Sequence, residues 1–228
     1  MTEADRRLAR SPRLLGLLAL TVLLGGSVVG LFVVPADAVQ GEVQRLMYVH
    51  VPSAWLAMLA FFVVFVMSVL YVVQRDARWD LVAASSAEIG VVFTALTLAL
   101  GSLWGKPTWG VWWTWEPRLT TTAIMLAIYV GYLAVRSFAD DPEKRARWSA
   151  IVGIVGFINV PIVYLSVVWW RTLHQPPSSP RSIAPQLLAA LVLNVGAFTL
   201  LYVYFMVRRY RLAHLERKLE KSVAYYGR

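Results

Sequence analysis

The sequence predicts an all-α polytopic membrane protein, a bundle of six transmembrane helices with a tryptophan-rich loop between the third and fourth. Two observations carry this. The apolar residues, 58% of the chain, fall in six continuous blocks, each long enough to cross hydrocarbon, which takes roughly 20 residues of helix. Charged residues make up only 15%, against about 25% in a soluble domain, and they lie between and beyond the blocks. The blocks do not alternate polar with apolar, so they read as helices rather than strands of a barrel.

The spans are expected at 14–34, 54–73, 81–103, 119–135, 148–168 and 185–207. The rest, 208–228, reads as a cytoplasmic extension of the sixth helix, and the whole of 1–228 as one membrane domain. Arg6, Arg7, Arg10 and Arg13 followed by an apolar run resemble a signal peptide, with Ala36-Asp37-Ala38 as a cleavage site. The run is longer than the 7–15 residues typical of a signal core, so it reads as a retained helix. Asn159 and Pro161 predict a kink in the fifth helix.

The charge of +9 forms no exposed stripe for nucleic acid and serves as a topology signal. Seventeen of the 22 Lys and Arg fall on one set of loops. Only Arg45, Lys106, Arg118, Arg171 and Arg181 fall on the other. The positive-inside rule then places both termini in the cytoplasm. The outer loops, 35–53, 104–118 and 169–184, carry His50, His174 and most of the ten tryptophans. His214, in the tail, reads as a surface histidine. With no cysteine, disulfides, thiolate ligands and CxxCH haem attachment are excluded.

The run from Trp104 to Thr120 holds five tryptophans: Trp104, Trp109, Trp112, Trp113 and Trp115. A lipid interface, a partner protein or a planar ligand could satisfy them. Trp109, Trp112, Trp113 and Glu116 are spaced as one face of a short surface helix, punctuated by Gly105, Pro107, Gly110 and Pro117. Pro52 predicts extended backbone at Val51, letting His50 approach from the rim. His174 follows Trp169-Trp170-Arg171-Thr172-Leu173. Two rim histidines around a tryptophan floor suit a haem iron. Arg45, Arg118, Arg171 and Arg181 are candidate partners for its propionates, Arg118 first. A zinc site would need further ligands from Asp37, Glu42 or Glu116 and would leave the tryptophans unexplained. Glu88, inside the third span, is too far from this rim to touch it and reads as a helix–helix or partner contact.

These stretches resemble a known family. WGVWWTWEPRLTT is similar to the WWD motif of the haem-handling superfamily. MYVHVPSAW and WWRTLHQ resemble the two histidine motifs of the CcmC family of system I cytochrome c maturation. Arg118-Leu119-Thr120 differs from the CcsA/ResC-like relatives, and the CcmF proteins would need more helices. The resemblance implies non-covalent haem b in the bacterial inner membrane, with His50 and His174 as its axial iron ligands at a periplasmic tryptophan platform. It implies haem delivery to the chaperone CcmE in a complex with CcmA, CcmB and CcmD, and no enzyme activity of the chain's own. A permease subunit that exports haem or another solute is the alternative. The family's motif ends in Asp where this chain has Glu116.

Overall fold

A computed structural model describes residues 3–175 and 183–226. Arg181 lies outside the described residues. The helices are α1 (Glu3–Val28), α2 (Met47–Gln74), α3 (Ala77–Trp109), α4 (Pro117–Phe138), α5 (Pro142–Gly156), α6 (Asn159–Trp169) and α7 (Pro185–Tyr226). A π turn, Val29–Val33, extends α1, and a 3-10 turn, Glu42–Leu46, leads into α2. Six helical stretches are long and apolar enough to cross a membrane, α5 and α6 together making one. No strand occurs among the described residues.

Local chemistry fixes the ends. Asp76 and Asp141 cap α3 and α5, their carboxylates accepting from Arg78 N and Lys144 N at 2.8 and 2.7 Å. Pro117 and Pro142 open α4 and α5, where a missing N–H costs nothing. Gly110, at φ 79°, ends α3 with its N–H on Lys106 O at 3.0 Å.

Two expectations are corrected, and the expected kink of the fifth span is present as a break. The tryptophan stretch is not one surface helix: α3 runs on to Trp109, and left-handed Gly110 then turns the chain into an irregular loop. Trp112, Trp113 and Glu116 therefore do not share a helix face with Trp109. His50 does not sit on extended backbone before Pro52, because both lie inside α2. Proline inside a spanning helix is tolerated where neighbouring groups re-satisfy the backbone. The fifth span is divided at Phe157–Ile158, just ahead of Pro161, whose missing N–H cannot bond Phe157 O. Val160 N takes that carbonyl at 3.0 Å, and Asn159 Nδ2 ties the break to Thr121 O at 2.9 Å.

The core lies where α2, α3, α4, α6 and α7 meet, around Leu56, Phe61, Val64, Phe93, Met125, Tyr129, Val163 and Phe198. Phe61 stacks on Tyr129 with ring centres 3.5 Å apart. Gly90 permits this: a Cβ there would stand 2.5 Å from the Phe61 ring. α1 packs along α7, with Asn194 Nδ2 donating to Gly26 O at 2.9 Å. Its leucines Leu14, Leu17, Leu20 and Leu24 face outward, as lipid contact requires.

At the end of the bundle away from the histidines, charges pair. Arg136 forms a bidentate bridge to Asp80, Nη2 to Oδ2 at 3.0 Å. Arg209 Nη2 meets Glu88 Oε1 at 2.8 Å, and Nη1 meets Glu216 at 3.3 Å. Glu88 is thus a helix–helix contact between α3 and α7.

Candidate functional site

A cavity of about 400 Å³ opens among α2, α3, α4, α6 and the loop after α6. That is within the roughly 300–1,000 Å³ typical of ligand sites. His50 and His174 both line it, with Trp104, Trp109 and Arg118. α2 supplies His50, 7% exposed. α3 supplies the tryptophans, α4 supplies Arg118, and the segment after α6 supplies His174.

The imidazole ring centres of His50 and His174 lie 6.4 Å apart, tilted by 34°. Two imidazoles bound to one metal at roughly 2.0–2.1 Å per nitrogen, each nitrogen about 1.1 Å from its ring centre, need about 6.3 Å. The spacing therefore fits a single iron between them. His174 Nδ1 lies 2.9 Å from Gln175 O. A carbonyl oxygen only accepts, so Nδ1 carries the proton and Nε2 keeps its lone pair, and a hydrogen bond of this kind orients a metal-binding histidine. Burial holds the His174 pKa below its ordinary 6.5, reinforced by the Arg118 charge and opposed by the Gln175 carbonyl and Glu116. The ring is neutral at pH 7, the form that binds metal. His50 Nδ1 is buried and makes no hydrogen bond of normal geometry among the described residues. It faces Gly101, where a Cβ would approach the ring to 3.2 Å.

Trp104 meets His50 edge-on at 5.7 Å, and Trp109 lies 6.4 Å from His174. Trp104 is pinned by its Nε1 donating to Gln40 Oε1 at 3.0 Å. Arg118 Nη1 donates to Val163 O and Tyr164 O at 3.1 and 3.2 Å, which anchors the side chain and leaves Nε and Nη2 to meet an anion.

Not every sequence candidate reaches the cavity. Trp112 and Trp115 are 55% and 80% exposed and line no part of it. Lys106 Nζ stands 6.0 Å from the Trp112 ring centre, and Trp113 packs edge-on against Trp115 at 5.4 Å. Arg45 is held elsewhere, by Glu42 and by Val34 O at 2.9 Å. Arg171 is exposed and apart from the lining. Glu116 is buried but binds Leu119 N at 2.5 Å and the Thr172 hydroxyl. The zinc alternative loses its ligands in the same way. Asp37 accepts from Val39 N and Gln40 N, and Glu42 and Glu116 are engaged as described. No group of three or more His, Asp or Glu that could hold an ion occurs among the described residues.

Sequence reasoning overlooked several lining residues. Met47, Met58 and Met125 supply soft apolar wall, and Trp55 holds its place through Thr199 Oγ1 at 3.1 Å. The methionines had no periodic signal apart from the core. Trp55 adjoins the His50 motif and could have been drawn in by that proximity.

Fold and cavity together define a six-span membrane protein whose paired rim histidines, aromatic wall and arginine suit a planar, anionic metal complex. The family model described as Heme exporter protein C matches residues 4–225. The heme exporter protein C of Bradyrhizobium diazoefficiens is 40% identical over 227 residues, covering 96% of this chain and 86% of that protein. The Escherichia coli K12 protein of the same name is 36% identical, covering 86% and 81%. A ccmC-like mitochondrial protein of Marchantia polymorpha, named for cytochrome c biosynthesis, is 38% identical over 78% and 76%. The chain belongs to the CcmC, or heme exporter protein C, family.

Proposed function

We propose that the chain holds haem b non-covalently at the periplasmic face of the bacterial inner membrane and hands it to the chaperone CcmE, in a complex with CcmA, CcmB and CcmD. Both termini lie in the cytoplasm, in keeping with the loop charges. The observation that carries the reading is the 6.4 Å spacing of His50 and His174 inside an aromatic cavity.

The chain's residues divide the work. His50 and His174 would each supply one imidazole nitrogen to the haem iron, an arrangement that suits a carrier rather than a catalyst. Trp104 and Trp109 wall the macrocycle. Arg118 takes a propionate by charge-assisted hydrogen bonds. Trp112 and Trp115, exposed beside the cavity, are free to meet the acceptor protein. The packed apolar cluster of Phe61, Tyr129 and the cavity-lining Met125 favours a holder over the permease alternative, which needs a polar path through the bundle.

The test is an absorption spectrum of the purified chain, oxidised and dithionite-reduced, followed by incubation with CcmE. The expected result is a six-coordinate bis-histidine spectrum and haem recovered covalently on CcmE. A folded protein that takes up no haem would defeat the reading.

A further inference from the structure

Glu116 is an unusual choice for the cap of α4. Short side chains, Asp, Asn, Ser and Thr, are the preferred N-caps. The extra methylene of Glu116 lets one carboxylate do two things. Oε1 accepts from Leu119 N at 2.5 Å, closing the first turn of α4. Oε2 accepts the hydroxyl proton of Thr172, on the irregular segment that follows α6. Thr172 Oγ1 in turn accepts from His174 N at 3.0 Å, a local turn two residues long. The contacts run from the helix end through Thr172 to the backbone of His174, and from there the ring is fixed by Gln175 O.

His50 needs no such device, because α2 places it. His174 stands on chain with no regular backbone ladder, and Trp170 N to Ser166 O is the last such bond before it. Glu116 is 9% exposed, so its bond to Thr172 is partly shielded from water and stronger than a fully exposed contact.

We infer that Glu116, acting through Thr172, is the positioning residue that holds His174 at ligating distance from His50. It touches neither the cavity nor its cargo. The inference rests on the proposed haem reading for its ligand and on the hydrogen bonds alone for its geometry. An outer-shell partner of a metal ligand typically changes affinity by roughly 10–100-fold when removed.

Three variants of the full chain, in detergent, test it. Thr172→Val removes the hydroxyl and keeps the shape, with the α4 cap untouched. Thr172→Ser keeps the hydroxyl. Glu116→Asp keeps a good cap but draws the carboxylate back by about 1.5 Å, one carbon–carbon bond. In the haem-loaded protein, Thr172→Val and Glu116→Asp should lose the low-spin bis-histidine signature and bind haem roughly tenfold more weakly. Thr172→Ser should match the parent, and the thermal midpoint of Glu116→Asp should stay at the parental value. In the haem-free protein, peptide-resolved carbethoxylation of His174 should be severalfold faster in Thr172→Val and Glu116→Asp than in the parent or Thr172→Ser. Parental spectra and parental modification rates in Thr172→Val would overturn the inference. A parent that binds no haem while these modification rates still differ would defeat the haem reading and leave the positioning role standing.

Discussion

The two ends of the bundle each enclose a cavity, and the larger one is the poorer candidate. The cavity away from the histidines measures about 880 Å³ and is lined by five arginines and five carboxylates, among apolar residues. Asp80 and Arg136 pair there, as do Glu88, Glu216 and Arg209. The histidine end is less than half that size, about 400 Å³, and among the described residues Arg118 is its one charged lining residue. There the polar groups are unfinished. His50 Nδ1 makes no hydrogen bond of normal geometry among the described residues, and His174 Nε2 keeps a lone pair because Nδ1 is committed to Gln175 O. Unpaired imidazole nitrogens, rather than volume, separate the candidate ligand site from charges that hold helices together.

Substitutions at each end should therefore fail in different ways. His50→Ala and His174→Ala should each lower haem affinity more than about a hundredfold, beyond the range of outer-shell changes, and leave thermal unfolding nearly unchanged. At the other end the pattern reverses. Asp80→Asn leaves the Arg136 charge without its buried partner, and should cost about 3 kcal/mol, seen as a lower unfolding midpoint with a parental haem spectrum. A haem defect in Asp80→Asn without loss of stability would erase the distinction between the ends.

Smaller effects sharpen it. Trp104→Ala should weaken haem binding roughly tenfold, from about 1.5 kcal/mol of lost ring contact, measured by haem titration. Glu88→Gln breaks a pair that water partly screens and should cost about 1 kcal/mol or less. The Trp112→Ala, Trp115→Ala double variant should change haem affinity less than about twofold, as for surface positions, yet slow delivery to CcmE in a transfer assay. Equal haem loss from Trp104→Ala and from the double variant would restore all five tryptophans to one platform.

The spans were legible because hydrocarbon imposes length and apolarity on each helix separately, with no help from neighbours. The paired histidines were legible because the chain has only three histidines and two of them fall on the outer loops. What stayed hidden depends on the third dimension. The i, i+3, i+4, i+7 spacing of Trp109, Trp112, Trp113 and Glu116 presumed a continuous helix, and Gly110 breaks it with a positive φ. Pro52 suggested extended backbone ahead of it, but the bundle holds that stretch helical. Arg45 looked like a propionate partner until the carbonyls of Gly30 and Val34 claimed it. Thr172 carried no signal at all, since its importance arises from Glu116, 56 residues away in sequence.

The central claim is that one iron is held between His50 and His174. The most direct test is ferric electron paramagnetic resonance of His50→Gly and His174→Gly, with and without added imidazole. Each variant should lose the low-spin bis-histidine signal of the parent and regain it when free imidazole fills the vacated position. Low-spin haem persisting in both variants without imidazole would contradict it.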